Sequence, residues 1–144
     1  MVNPKIVTSA IIIKNDKVLL IKRKKYPEEN KWALPGGLGS FKKFSDPQEA
    51  IKDEVRYDLN TDFKIRSFFN YSFYTGLEGP IITLHFTGTI LEEPSINKED
   101  IFAYEYFSKE EMPSREDMAF DHHLILTNFF KSVNSKMTSK DKCD

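Results

Sequence analysis

Glu54 and Asp58 stand four residues apart in the run AIKDEVRYDL. On a helix that spacing puts both carboxylates on one face, one turn apart. Asp53 is adjacent. Clustered carboxylate oxygens suit a hard divalent cation such as Mg2+, which keeps some of its water and bridges protein carboxylates to phosphates. Upstream lie Gly36, Gly37 and Gly39. Such a loop lets the backbone come close to a bound ion, so carbonyls or amides near Gly36 and Gly37 join the candidate site. The competing reading is a solvated helix face that carries Lys52, Asp53, Arg56 and Asp58.

Other residue types offer less. The aromatic face of Phe120 can stack on a base or pack a helix onto a sheet. Phe68, Phe69, Tyr71, Phe73 and Tyr74 form an aromatic run. Strand alternation turns some of them inward, and the outward set lines a nucleoside pocket or a dimer interface. His122 and His123 are neighbours and face different sides of a helix, and His85 is the only other histidine, so no histidine metal site is expected. The single cysteine, Cys143, allows neither an internal disulfide nor a multi-cysteine zinc site.

Elements must place these groups. Ile6–Ile13 and Val18–Arg23 are β-rich and flank the turn residues Asn15-Asp16, which predicts a hairpin. Trp32 to Leu34 is a short apolar stretch before Pro35-Gly36-Gly37. Asp46-Pro47 opens a helix, with Asp as N-cap and Pro in the first turn. That helix turns Ala50, Ile51, Val55 and Leu59 to the core and ends at Asn60. Lys64–Thr75, Ile81–Leu91 and Ile101–Phe107 read as strands, with Gly76–Pro80 as a loop, and Met118–Val133 reads as a second helix. The order β-β-(β)-α-β-β-β-α implies an α+β fold, a mixed sheet with a helix against each face. Residues 1–134 form one domain, and 135–144 read as a frayed, disordered tail.

Composition narrows the function classes. With 144 residues, 40% of them hydrophobic, the chain can bury a core and is not globally disordered. A net charge of −1 argues against nucleic-acid or anionic-membrane partners. No apolar run is long enough to span a bilayer, and the N-terminal stretch is a poor signal peptide, so a soluble cytoplasmic protein is expected.

The stretch WALPGGLGSFKKFSDPQEAIKDEVRYD, from Trp32 to Asp58, resembles the signature of the Nudix hydrolases. That signature reads Gly, five residues, Glu, seven residues, Arg-Glu, apolar, any, Glu-Glu, any, Gly. Leu34 to Gly37, Pro47, Glu49, Ala50, Glu54 and Val55 match it. The Arg slot holds Asp53, the Glu-Glu pair is Tyr57-Asp58, and the final Gly slot is Asn60. The upstream Glu slot holds Ser45, and two residues are inserted near Phe41 to Phe44. Because the family's Glu and Arg pair with each other, the joint loss at Ser45 and Asp53 strands no charge. Tyr57 replaces a metal-binding glutamate with a poor Mg2+ ligand. VLLIKR (Val18–Arg23) resembles the second strand of these enzymes and YEYFSKEEMP (Tyr104–Pro113) their late strand and following turn, while AFDH (Ala119–His122) with Ile125-Leu126 resembles the pattern of the ADP-ribose pyrophosphatase-like branch.

The resemblance implies an α/β/α sandwich and Mg2+-dependent hydrolysis of a nucleoside diphosphate derivative, ADP-ribose-like above all, with Mn2+ as an alternative ion. The partner is then a small nucleotide, and a homodimer is compatible. Glu54 and Asp58 become catalytic and metal-binding residues. Gly37 and Glu105 join them as metal ligands. Arg23, Gly36, Gly37 and Phe120 bind substrate. Tyr57, Asp53 and the inserted loop favour a rival, a nucleotide-binding module without turnover. A structural or dimerisation domain of the same fold is the third reading.

Overall fold

A computed structural model describes residues 3–37, 46–77 and 79–143, with side chains as far as Val133. Strands β1 (Lys5–Lys14) and β2 (Lys17–Arg23) form the expected hairpin. Its turn residues Asn15 and Asp16 both adopt left-handed backbone, at φ 52° and 63°. A two-residue turn of that kind matches the twist of the strands it joins. Two short strands follow, β3 (Trp32–Ala33) and β4 (Gly36–Gly37). β3 pairs with β2, whereas β4 pairs with β1, placing Gly36 opposite Ser9 and Gly37 opposite Thr8.

Helix α1 (Pro47–Leu59) starts and stops where its residues dictate. The Asp46 carboxylate accepts from the Gln48 N–H at 2.9 Å, and Pro47 opens the first turn. Asn60 ends the helix in left-handed backbone at φ 54° and donates its N–H to the Arg56 carbonyl.

Strands β5 (Phe63–Gly76) and β6 (Gly79–Ile90) run antiparallel as far as Gly76 opposite Gly79. The expected Gly76–Pro80 loop is therefore shorter, since the ladder extends through both glycines. β6 lies parallel to β1, and β7 (Ile101–Phe107) pairs with β2. The sheet is mixed, as the order of elements predicts.

Period-2 alternation divides the core between the two faces. Ala10, Ile12, Leu19 and Ile21 pack against Ile51, Val55 and Leu59 of α1. Ile11, Val18 and Leu20 pack against Ile125, Leu126 and Phe129 of helix α2 (His122–Cys143). The second helix begins at His122, later than expected. Arg115–Asp117 is one turn of 3-10 helix, Met118 is extended, and Phe120 has φ 53°, which no right-handed helix accommodates. The expected boundary after residue 134 falls within α2. Leu124 of α2 is exposed. Among the described residues no helix is long and apolar enough to cross a membrane.

The aromatic run of β5 divides three ways. Tyr74 faces the α2 side, and Phe69 packs edge-on against Phe129. Phe68, Tyr71 and Phe73 lie on the α1 side and remain exposed.

The cap at Asn60 gives a stability test. Asn60→Ala puts a non-glycine, non-asparagine residue in left-handed backbone and removes the Nδ2 bond to the Ser95 carbonyl. The urea midpoint should fall by an amount worth about 1–2 kcal/mol, while Asn60→Gly should cost less.

Candidate functional site

The hydrophobic face of α1 carries Glu54 and Asp58 inward with it. They are only 8% and 6% exposed, so the solvated-face reading is overturned. Both carboxylates meet the glycine strand β4. The Gly36 N–H donates to Asp58 Oδ2 at 3.3 Å. A methyl group placed on Gly37 would lie 2.9 Å from Glu54 Oε2. A methyl on Gly36, at φ 152°, would collide with the Thr8 carbonyl at 2.1 Å. Glycine is thus required twice, once for the β1 ladder and once for a carboxylate. Burial, followed by the nearby Glu54, pushes the Asp58 carboxyl up to about 7, against the pull of the Gly36 N–H.

On the far side of β4 a cleft of about 230 Å3 opens towards α2. Gly36, Gly37, Arg23, Tyr74, Leu77 and Phe120 are among the residues that line it. Arg23 is held by an Nε–H bond to the Pro27 carbonyl at 3.0 Å and lies 5.0 Å from the centroid of the Phe120 ring. Burial lowers its pKa, and Asp58, then Glu28, oppose that. A guanidinium stays charged under such shifts and can bind phosphate oxygens in pairs. Phe120 keeps its strained backbone because neighbours fix it on several sides. Its N–H points at Glu28 Oε1 at 3.4 Å, and its ring packs against Tyr74 and His122.

The sequence-predicted residues divide clearly. Glu54, Asp58, Gly36, Gly37, Arg23 and Phe120 come together around β4. Glu105 does not. It is exposed, and its register opposite Leu20 places it on the α2 side of the sheet, across from the helix that bears the acids. Alternation in β7 puts its neighbours Tyr104 and Tyr106 on the α1 side instead. Gly39, Phe41 to Phe44 and Ser45 lie outside the described residues. Tyr57 is half exposed and hydrogen-bonds Asp100, which also pairs with Lys25 at 2.7 Å.

Several site residues carried no sequence signal of a role. Asp100 raises the pKa of Asp58 from across the chain. His122 is buried, and its Nδ1 accepts from the Leu34 N–H at 3.0 Å, tying α2 to the approach to Gly36. Burial first, then His85 and Arg23, hold His122 down to about 3, so it stays neutral. Ser9 and Asp121 also line the cleft. Among the described residues no group of three or more His, Cys, Asp or Glu side chains gathers in metal-binding geometry. Two buried carboxylates that share one face, one with a raised pKa, nevertheless form a donor pair suited to a hard cation that completes its shell with water or phosphate.

A family model described as NUDIX domain matches residues 4–129. An ADP-ribose pyrophosphatase of Methanocaldococcus jannaschii is 26% identical over 136 residues, spanning 92% of this chain and 76% of that protein. A MutT NUDIX hydrolase from Burkholderia pseudomallei superposes with a TM-score of 0.76 at 20% identity, over 87% of this chain and 97% of the other. The NUDIX domain of NrtR from Shewanella oneidensis, complexed with ADP ribose, gives a TM-score of 0.76 at 15% identity, over 92% and 90%. At such identities these two structures speak for the fold.

The acid pair predicts a pH effect on the metal-free protein. Asp58 has an ordinary value of 3.8 and a folded value of about 7. The folded state therefore holds the extra proton between these values. The associated stability is full below the window and falls as pH rises through it. With chelator present, Asp58→Asn should raise the urea midpoint at pH 8 by an amount on the order of 1 kcal/mol or more. The gain should shrink towards pH 4. A destabilised variant at pH 8 would contradict the assignment.

Proposed function

The chain belongs to the NUDIX family, and we propose that it is a pyrophosphohydrolase of a nucleoside diphosphate derivative, with ADP-ribose as the leading substrate. The observation that carries this reading is the convergence on β4. Gly36 and Gly37 separate a pair of buried carboxylates from a cleft lined by Arg23 and by the rings of Tyr74 and Phe120. A diphosphate meets Gly36, Gly37 and Arg23, and a base stacks on the aromatic rings. The curated relative named ADP-ribose pyrophosphatase supports the substrate.

In the reaction, water adds to one phosphorus and the bridging P–O bond breaks. ADP-ribose would yield AMP and ribose 5-phosphate. Arg23 holds non-bridging oxygens and favours the charge that develops on them. Gly36 and Gly37 admit the phosphates at a distance that side chains would forbid. Glu54 lies against Gly37 and either takes the proton of the attacking water or binds the ion. A divalent cation, Mg2+ or Mn2+, held by Glu54, Asp58 and the Gly37 backbone, would supply neutralisation of the diphosphate charge.

The decisive assay incubates the protein with ADP-ribose and Mg2+ and quantifies AMP. Turnover is expected, with loss on chelation and a fall of at least about 100-fold in Glu54→Gln. Thermal stabilisation by ADP-ribose without product, in Mg2+ and in Mn2+, would instead favour the binding-module reading. Neither product nor stabilisation would defeat both.

A further inference from the structure

One buried polar chain crosses the floor of the cleft and ends on its wall twice. His85 is wholly buried on β6. Its Nδ1 lies 2.5 Å from Ser9 Oγ on β1, and its Nε2 lies 2.9 Å from Ser72 Oγ on β5. Ser72 in turn bonds the Asp121 carboxylate. Ser9 and Asp121 both line the cleft.

The protons in this chain can be ordered from one end. A carboxylate only accepts. Burial raises the Asp121 pKa and the Ser72 bond opposes that rise, as a hydroxyl donating its proton to the carboxylate does. Ser72 Oγ must then accept from His85, which places the ring proton on Nε2. Burial lowers the His85 pKa to about 4, so the ring is neutral and Nδ1 carries a lone pair. The short contact to Ser9 is therefore a bond from the Ser9 hydroxyl to Nδ1. Its one proton is spent inside the protein, so Ser9 presents only lone pairs to the cleft.

We propose that the Ser9–His85–Ser72–Asp121 chain selects a ligand by its vicinal diol, because both ends of the chain meet the cleft as hydrogen-bond acceptors. Position favours a sugar. Ser9 stands opposite Gly36, which the proposed diphosphate meets, and Asp121 follows Phe120, on which the proposed base stacks, so the chain runs from one set of contacts to the other. A ribose there offers two O–H donors to two acceptors. Ser9 and Asp121 touch the sugar, while His85 and Ser72 are positioning residues that fix the direction of the bonds. The inference rests on the reading that the cleft takes a nucleoside diphosphate.

The test uses calorimetric titration of the full chain with ADP and with 2′,3′-dideoxy-ADP, Mg2+ present. The wild type should prefer ADP by about tenfold. Ser9→Ala and Ser72→Ala should reduce that preference below about threefold. Ser72→Thr keeps the hydroxyl and should restore it, which a merely structural role for Ser72 would not require. If Ser9→Ala loses its fold by circular dichroism, the Ser72→Ala and Ser72→Thr pair carries the test. Equal affinity of the wild type for both nucleotides, an unchanged preference in Ser72→Ala, or binding of neither nucleotide would overturn the proposal. ADP-ribose hydrolysis by the same wild-type preparation reports separately on the activity, so a protein that turns over substrate yet ignores the diol sinks only the present inference.

Discussion

Two acids of like charge are pressed by the packing of α1 against a pair of glycines. Ile51, Val55 and Leu59 drive that helix onto the sheet, and Glu54 and Asp58 ride with them out of water. Buried ionised carboxylates are costly unless paired or neutralised. The protein relieves the cost partly with the Gly36 N–H and partly by raising the pKa of Asp58. A cation or a phosphate-bound cation would relieve the rest. Much of the remaining architecture serves to keep this arrangement in place. The β1–β4 ladder fixes the glycines, His122 holds the approach to them, and the Asp46 and Asn60 caps fix the length of the helix.

The sheet also separates two tasks. Its α1 face carries the acids. Its α2 face carries the cleft, whose wall is built from alternate residues of β1, β6 and β5, with Phe120 and Asp121 arriving from the segment before α2. β4 is the seam between them, and its residues have almost no side chain, so groups on one side can act on a ligand held on the other. Parallel pairing of β1 with β6 places Ser9 beside His85 and Val7 beside Thr83, so one strand supports both the glycine ladder and the wall of the cleft.

What the sequence makes legible is local. The caps and buried face of α1 and the first hairpin follow from neighbours a few positions apart, and each took its expected form, whereas the glycine approach, expected as a loop, pairs with β1 as strand β4. Glu54, Asp58, Arg23 and Phe120, which the sequence offers through contiguous motifs, lie around β4 and the cleft. Glu105 was misplaced because a resemblance gives the strand and not the face, and only the register opposite Leu20 decides that. Ser9 and His85 stand 76 positions apart, and nothing in either neighbourhood announces the other. The late start of α2 was hidden for a similar reason. The left-handed turn at Phe120 is imposed by Glu28, Tyr74 and Arg23, not by the residue itself.

That turn sets backbone strain against side-chain packing. Phenylalanine in left-handed backbone costs roughly 1–3 kcal/mol, and glycine would adopt the same φ without penalty. Removing the ring would relieve that strain, but it would also forfeit the packing against Tyr74, His122 and Arg23, and losing a packed aromatic costs about as much or more. The ring therefore anchors its own backbone: the contacts that make it a wall of the cleft are the same ones that offset the strained turn.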